Sequence, residues 1–395
     1  MIPITKAIFD ERDLALIQEP LKSGWVVQGT YVRQFEEMFS TLTRSPHSVA
    51  VSSCTTGLHV AVAALGLKPG DEVLVPAFTW IATANVVEHM GARPVFVDVD
   101  LRTFNVDVAQ LERHVTPRTV GIIPVHLFGL SADMAPIMEL AARHGLWVVE
   151  DAACGFDSWY RGAHVGTFGE FGAFSFHPRK AITTGEGGML TTADAQRAAL
   201  ARTLRDHGAS RSDLERHQQR YSFLLAEYRH LGFNVRMTDI QGALGVAQME
   251  KSAAIMASRR AGAARYDEML RGLDWLQLPF RHPDYVHGEQ SYVCLFMPDE
   301  ANLAACPSVF ERRNALMAAL ESRGIVTRQG THAPPHLDYY ADKYGIRPED
   351  YPNAYMAERM TITLPLYAGM TPEETTRVVE ELHAEFEAGA PAGRA

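Results

Sequence analysis

The sequence predicts an α/β fold in which helices cover a mainly parallel sheet. Short apolar segments alternate with alanine- and leucine-bearing helical stretches through most of the first part of the chain, which is typical of parallel strand–helix repeats. Several of these segments carry polar side chains at their C-terminal ends, where the active groups of such sheets gather. The predicted strands are residues 49–53, 72–76, 94–99, 119–125, 146–151, 171–176 and 188–192.

A change of pattern predicts a second domain. It begins within the helix that starts near Thr238 and runs past Met249. We therefore predict a large domain at 1–247 and a smaller α+β C-terminal domain at 248–395. The elements predicted beyond the boundary are a strand at 291–297, a strand or extended chain at 361–366, an amphipathic helix at 309–323 and a charged closing helix at 371–389. The small residues of 390–395 predict a mobile tail.

Composition narrows the class of protein. The chain has 395 residues, of which 47% are hydrophobic, and a net charge of −10. That charge argues against a nucleic-acid coat or an anionic membrane surface as partner. We find no signal peptide and no apolar run of the roughly 18–20 residues that span a bilayer. The four cysteines show neither a CxxC pair nor a metal spacing, so we expect a reduced, cytoplasmic enzyme and no metal.

One lysine follows a buried strand directly. Lys180 comes after the apolar segment 171–176 and before the glycine-rich stretch 184–188. Burial destabilises an ammonium, which predicts a lowered pKa and an amine free to form Schiff bases with carbonyls. That chemistry indicates pyridoxal 5′-phosphate (PLP). The alternative is a solvated loop lysine.

A carboxylate of the kind that PLP requires ends another strand. The apolar run 146–150 leads to Asp151, and PLP needs an acid beside its pyridine nitrogen to keep that nitrogen protonated. Asp151 can instead cap the element that follows. A solvated lysine and a capping aspartate are each reasonable interpretations when one residue is considered alone. They become weaker when Lys180 and Asp151 are considered together.

Phosphate and ring contacts are predicted earlier in the chain. Thr55 and Thr56 open an alanine-rich helix after the strand at 49–53, where backbone N–H groups and hydroxyls favour a phosphate. Hydroxyl residues also cap most such helices. Trp80 follows the strand at 72–76 and can lie flat on a cofactor ring, although a lone tryptophan more often packs in a core.

Together these segments resemble the DegT/DnrJ/EryC1/StrS family of PLP-dependent aminotransferases. The resemblance covers nearly the whole chain, in order. The motifs are SCTTGLH at 53–59, PAFTW at 76–80, EDAA at 150–153, FSFHPRK at 174–180, TGEGG at 184–188, GFNVRMTDIQ at 232–241 and LPL at 364–366.

The resemblance implies the PLP-dependent transferase fold type I, with one antiparallel strand for which 188–192 is the candidate. It implies a homodimer whose active site is shared between subunits, and pyridoxamine 5′-phosphate (PMP) as the form of the cofactor that carries the amino group. The implied roles are Lys180 as the catalytic lysine that binds PLP, Asp151 as the pyridinium partner, Trp80 as the stacking ring, Thr55, Thr56 and Ser175 as phosphate ligands, Asn234 as a phosphate ligand of the neighbouring subunit, and Glu186, Arg328 and His332 as substrate contacts. Taken alone, Asn234 is equally a turn residue after Gly232.

Three departures from the family pattern stand out. Cys54 replaces a glycine and can crowd the phosphate loop, while Cys154 replaces a glutamine or histidine near the cofactor oxygen. A thiol is a poor hydrogen-bond donor, so Cys154 is either a weak partner or an inert packing residue. The stretch 330–333 replaces a tyrosine- and proline-rich segment and suggests a different acceptor. His332 and His336 are four residues apart, but two prolines between them exclude a helical metal pair.

The leading function is transfer of an amino group from glutamate or glutamine to a keto-sugar, nucleotide-linked in the first instance, in amino-sugar biosynthesis. Arg179, Arg236 and Arg328 are candidates for holding a diphosphate. The alternatives are a cyclitol ketone as acceptor, a PLP- or PMP-dependent sugar dehydratase, whose known members carry histidine in place of Lys180, and a non-catalytic relative. No G-x-G-x-x-G follows the first strand, which argues against a nicotinamide enzyme.

Overall fold

Seven strands form the central sheet in the computed structural model, which describes residues 1–211, 214 and 226–389. The order across the sheet is β1-β9-β8-β5-β4-β2-β3. The tail at 390–395 lies outside the described residues. The strands are β1 His47–Val51, β2 Glu72–Pro76, β3 Arg93–Val97, β4 Thr119–Ile122, β5 Trp147–Asp151, β8 Phe171–Ser175 and β9 Gly188–Thr192, while the short strands β6 Trp159–Tyr160 and β7 Ala163–His164 form a separate hairpin beside the sheet.

The prediction of a mainly parallel sheet with one reversed strand is confirmed. β9 runs antiparallel to both of its neighbours, β1 and β8. The pairs β8–β5, β5–β4, β4–β2 and β2–β3 are parallel. β9 lies next to the edge strand, so the reversal is confined to one side of the sheet.

Some strands are shorter than their apolar runs predict. The strand predicted at 119–125 ends at Ile122 because Pro124 has no N–H to continue the ladder. Pairing resumes only as an isolated bridge between Val125 and Asp151. The strand predicted at 94–99 ends at Val97, since the Asp98 carboxylate accepts the backbone N–H of Val99 at 2.9 Å and turns the chain away.

Helices cover both faces of this sheet. The alternation along β8 shows it: Phe171 and Ala173 belong to one apolar cluster, and Phe174 to another. Successive strand residues point to opposite faces, so both faces are buried. The helices of this part are α1 Glu11–Ser23, α2 Thr30–Thr43, α3 Cys54–Ala64, α4 Ala82–His89, α5 Val108–Leu111, α6 Met134–His144, α7 Ala195–Arg205 and α8 Asp239–Glu250.

A second, smaller sheet follows the long helix α9, Ser252–Met269. It consists of β10 Leu276–Gln277, β12 Tyr292–Phe296 and β13 Thr361–Leu364, all antiparallel, while β11 Tyr285–Val286 pairs with β6. The helices around it are α10 Cys306–Ser322, α11 Asp338–Tyr344, α12 Pro352–Met360 and α13 Pro372–Gly389. The α+β pattern predicted for this region is therefore observed.

The N-terminal residues run beside this smaller sheet. Ile2 pairs with Ile325, and the backbone N–H of Leu366 donates to the Ile4 carbonyl at 3.1 Å. The boundary between 247 and 248 stays a prediction; it falls near the end of α8. None of the helices in the described ranges is long and apolar enough to cross a membrane.

Candidate active site

The loops that follow four strands meet at one edge of the central sheet. Asp151 ends β5, Lys180 follows β8, Trp80 follows β2 and Thr55 follows β1. These four strands point the same way in the sheet, so their C-terminal ends open on a common crevice, as in other open α/β sheets.

The Asp151 carboxylate is buried and hydrogen-bonded on both oxygens. Thr83 Oγ1 donates to Oδ2 at 2.7 Å, and the Ala153 N–H donates to Oδ1 at 3.1 Å. Burial raises the pKa of Asp151 above its ordinary value, while Thr83, the Ala153 N–H and the charge of Lys180 lower it. These three groups therefore favour the ionised form that a protonated ring nitrogen requires.

Thr83 is a site residue that the sequence prediction missed. It lies in α4, four residues after Thr79 and three after Trp80, so a hydroxyl pair at helical spacing beside the predicted stacking ring is the signal that points to it. Its hydroxyl also contacts Thr79 Oγ1 and the Trp80 carbonyl, each at 3.1 Å.

Glu150, the other acid at the end of β5, faces away from Asp151. Its carboxylate accepts three backbone N–H groups of the segment 166–169 at 2.6 to 2.9 Å. His126 Nδ1 accepts the Ala132 N–H, so His126 Nε2 carries its proton toward Glu150, 2.9 Å away. Glu150 is thus a satisfied structural anion that fixes the loop behind the site.

Lys180 lies in the loop between β8 and β9, whose two ends are joined by a backbone hydrogen bond. The Phe176 N–H donates to the Gly187 carbonyl at 2.9 Å, and the Lys180 N–H donates to the His177 carbonyl at 2.8 Å. The side chain points back toward β5, where Nζ donates to Cys154 Sγ at 3.2 Å. Lys180 is therefore not a solvated loop residue.

The predicted lowering of the Lys180 pKa is wrong. Burial does act to lower the pKa of Lys180, but Cys154, Cys54 and Asp151 together raise it above its ordinary value. The sequence argument considered burial alone. The sheet adds an anion and two sulfur atoms from segments distant in sequence.

A second group of candidates surrounds the start of α3. Ser53 caps the helix, and the Thr56 hydroxyl completes a capping box with it. Thr56 is therefore engaged by the helix itself, while Thr55 is exposed. The N–H groups of the first turn point out of the helix toward the same space.

Ser175 lies opposite a glycine of β9 that packs against this helix terminus. It pairs with Gly188 across β8 and β9. A Cβ on Gly188 would lie 2.4 Å from the Ser53 carbonyl carbon and 2.6 Å from the Cys54 nitrogen, so only glycine lets β9 pack against the start of α3. The backbone of the β8–β9 pair at Ser175 and Gly188 thus packs next to the start of α3.

Trp80 is not a core residue, since its side chain is 58% exposed. Its ring centroid lies 5.6 Å from that of His332, and the Thr79 N–H donates to the His332 carbonyl at 3.0 Å. His332 Nδ1 is 3.5 Å from Glu358. The structure thus brings His332 to the ring predicted to stack on the cofactor.

The remaining candidates lie at the surface. Arg328 pairs through its backbone with Thr363, and its side chain is exposed. Glu186 and Asn234 are also exposed, and the Val235 carbonyl beside Asn234 accepts the Ser52 N–H at 2.9 Å. Arg236 is not free for a diphosphate, because it forms an ion pair with Asp206.

The two unusual cysteines have different surroundings. Cys54 is buried under Asp151, with Sγ 3.4 Å from the Ala173 carbonyl oxygen and 3.9 Å from Asp151 Oδ1. Burial raises the pKa of Cys54 well above its ordinary value, so it stays a thiol. Cys154 is only half-buried and contacts Lys180, which goes against the interpretation of an inert packing residue.

Comparison with known proteins agrees with this geometry. Residues 7–383 match the DegT/DnrJ/EryC1/StrS aminotransferase family. The chain belongs to that family.

Two curated relatives span almost the same length as this aminotransferase. The chain is 36% identical over 380 residues to the spore coat polysaccharide biosynthesis protein SpsC of Bacillus subtilis, covering 96% of this chain and 95% of SpsC. It is 37% identical over 380 residues to GDP-perosamine synthase of Caulobacter vibrioides, covering 94% of each.

Solved structures show the same fold. The PMP form of Spr1654 from Streptococcus pneumoniae superposes with a TM-score of 0.91 at 27% identity, covering 99% of this chain and 100% of that one. The PLP form of Spr1654 gives a TM-score of 0.89. The protein is therefore a PLP-dependent aminotransferase of fold type I, with PMP as the intermediate form of its cofactor.

The residues present fit PLP. An ionisable buried acid with two hydrogen-bond donors suits a cationic ring nitrogen, and an exposed indole suits the face of a flat ring. Exposed Thr55 in the first turn of α3 and Ser175 at the end of β8 carry hydroxyls that suit a phosphate. The individual roles of these residues stay predictions.

The Thr83 contact leads to a prediction about pH. Activity requires ionised Asp151 and is lost as the pH falls through the pKa of Asp151. Thr83→Val removes a donor that lowers this pKa, so the acid limb of the kcat/KM profile is expected to move upward by about one pH unit. Thr83→Ser keeps the donor and should match the wild type. Coincident acid limbs for Thr83→Val and the wild type would remove Thr83 from the site.

Proposed function

We propose that this enzyme transfers an amino group from glutamate or glutamine to the keto group of a sugar, in the first instance a nucleotide-linked sugar, for amino-sugar biosynthesis. The observation that carries the proposal is the convergence of Asp151, Lys180 and exposed Trp80 on one crevice that is open toward His332. The name of one relative, GDP-perosamine synthase, supports a nucleotide-linked sugar.

In this proposal two side chains divide the proton chemistry. Bound PLP supplies an electron sink for the negative charge that develops at the substrate α-carbon. Asp151 holds the proton on the ring nitrogen, because its ionised form is supported by Thr83 and the Ala153 N–H. Lys180 Nζ would take the proton from the substrate α-carbon and deliver it to the cofactor C4′.

Acceptor recognition is assigned to exposed charged and polar side chains at the opening of the crevice. Arg328 is exposed and His332 is half-exposed, and Glu186 lies on the exposed loop that follows Lys180. Arg179 is a further exposed cation. Because the whole chain has a net charge of −10, a phosphorylated substrate needs such a local positive group.

We also infer a homodimer in which Asn234 contributes to the partner's phosphate site. Asn234 is exposed on a segment held against the end of β1 by the Val235–Ser52 hydrogen bond. A cytoplasmic location is consistent with four free thiols, which suit a reducing compartment.

A panel of substrates tests the proposed function. The purified protein is expected to be yellow and to aminate one or more keto-sugar nucleotides with glutamate or glutamine as donor, and Lys180→Ala should keep the cofactor non-covalently while losing turnover. Amination of cyclitol ketones alone would replace the sugar acceptor. Dehydration, or no turnover with any donor, would overturn the proposal.

Acceptor residues should separate from donor residues in half-reactions. Both half-reactions need Lys180 and Asp151. Only the half-reaction with the acceptor is expected to need Arg328 and His332. Arg328→Ala and His332→Ala are expected to lower acceptor kcat/KM by about ten-fold or more, the effect of losing a charged hydrogen bond. Conversion of PLP to PMP by the donor should stay within about a few-fold of wild type, measured by stopped-flow absorbance. Equal losses in both halves would show that these residues only pack the smaller sheet.

The dimer gives a complementation test. Asn234→Ala should weaken cofactor binding without changing thermal stability of the fold. If the site is shared, a mixed dimer of Asn234→Ala and Lys180→Ala subunits contains one intact site and regains activity, up to about half that of wild type, as expected for one functional site of two. Light scattering that finds an active monomer contradicts the proposal, as does the absence of any recovery on mixing.

A further inference from the structure

The sulfur of Cys154 is the hydrogen-bond partner of the Lys180 amine. Nζ donates to Sγ at 3.2 Å, and this is the hydrogen bond that the described residues provide to Nζ. Asp151 acts on Lys180 through charge only, with no hydrogen bond between the two. The position of the amine in the crevice therefore depends on the thiol more directly than on the carboxylate.

The turn that carries the thiol is hydrogen-bonded to Asp151 and to itself. The Ala153 N–H is tied to the Asp151 carboxylate, and the Gly155 N–H donates to the Ala152 carbonyl at 2.8 Å, which closes the turn that contains Cys154. A Cβ on Gly155 would lie 2.6 Å from Val165 Cγ2, so the turn is packed tightly from behind. One short turn thus fixes both the acid at the end of β5 and the sulfur beside the amine.

A thiol can serve the amine in both of its protonation states. Sulfur accepts weakly from an ammonium N–H, and the S–H donates weakly to the lone pair of a neutral amine. The bond from the ammonium involves a charge and is the stronger of the two, so the thiol modestly favours the protonated amine. A group that has to take up and release a proton in each half-reaction is suited by such a partner.

We propose that Cys154 is a positioning residue that holds Lys180 Nζ in the crevice and sets its proton affinity. The inference rests on the proposed role of Lys180 as the proton carrier. Cys54 does not share the positioning role, because its sulfur faces the Ala173 carbonyl and Asp151 instead of Nζ. Cys154 thus occupies a place where the sequence predicted at most a weak contact with the cofactor.

The test titrates Lys180 in the full chain after the cofactor has been removed, so it does not depend on any acceptor. Trace acylation with acetic anhydride over a pH series, read by peptide mass spectrometry, gives the pKa and the reactivity of Lys180. The exposed Lys68 in the same samples serves as internal standard. The variants compared are Cys154→Ala, Cys154→Ser and, as a matched control, Cys306→Ala, a buried thiol at the start of α10.

Loss of the sulfur removes an acceptor that stabilises the ammonium of Lys180. Burial, which lowers the pKa of Lys180, is then opposed by fewer groups. Cys154→Ala is expected to raise the acid dissociation constant of Lys180 by about three- to ten-fold, the effect of one modest hydrogen bond. Cys154→Ser keeps an acceptor and should stay within about two-fold of wild type, as should Cys306→Ala.

Unchanged titration of Lys180 in Cys154→Ala would overturn the proposal, as would equal shifts in Cys154→Ala and Cys306→Ala. If Cys154→Ala does not fold, Cys154→Val tests the same loss of the polar atom, with folding checked by thermal denaturation. The wild type could fail to aminate any keto-sugar while Cys154→Ala still shows the expected change in the Lys180 acid dissociation constant. That result would support this inference and overturn the proposed function.

Discussion

The buried carboxylate of Asp151 sets the conditions for the rest of the site. Moving an ionised carboxylate out of water costs several kcal/mol even after relaxation, so an ionised acid at this depth needs partners that come from different segments. Thr83 reaches it from the first turn of α4, and Ala153 from the turn after β5. Lys180 contributes charge from the loop after β8. The position of each of these segments is therefore tied to one charge.

The turn after β5 links the position of the acid to that of the lysine. Cys154 follows Asp151 by three residues and hydrogen-bonds Lys180, so a shift of β5 moves both partners of the amine together. On the other side, Glu150 is hydrogen-bonded by backbone N–H groups and His126 rather than by site residues. β5 thus separates a structural anion from a functional one by pointing them to opposite faces.

The phosphate corner depends on a different constraint, the reversal of β9. Because β9 is antiparallel, its first residue lies beside the last residue of β8, and Gly188 is opposite Ser175. The contact of Gly188 with Ser53 and Cys54 leaves no room for a Cβ. The start of β9, which pairs with Ser175 at the end of β8, approaches the first turn of α3 only because that position is glycine.

Local patterns predicted the fold well. β2 and β9 have the predicted bounds, Asp151 ends β5 and Lys180 follows β8, because apolar runs with polar ends are visible within a few residues. The roles of these two residues stay predictions. What failed depends on contacts distant in sequence. The Thr83 donor and the Cys154 contact join residues that are 68 and 26 positions apart. The pKa of Lys180 depends on Cys154, Cys54 and Asp151 from two other stretches of the chain, and no local pattern specifies those contacts. Pro124 shortened β4 although the apolar run continues past it.

The central claim is that Lys180 is the lysine that binds the cofactor. Reduction of the purified, yellow enzyme with borohydride, followed by proteolysis and mass spectrometry, tests it directly. The account predicts one phosphopyridoxyl group per chain, on the peptide that contains Lys180, and none on the corresponding peptide of Lys180→Ala. A label on any other lysine, or full bleaching of the colour with no labelled peptide, would contradict it.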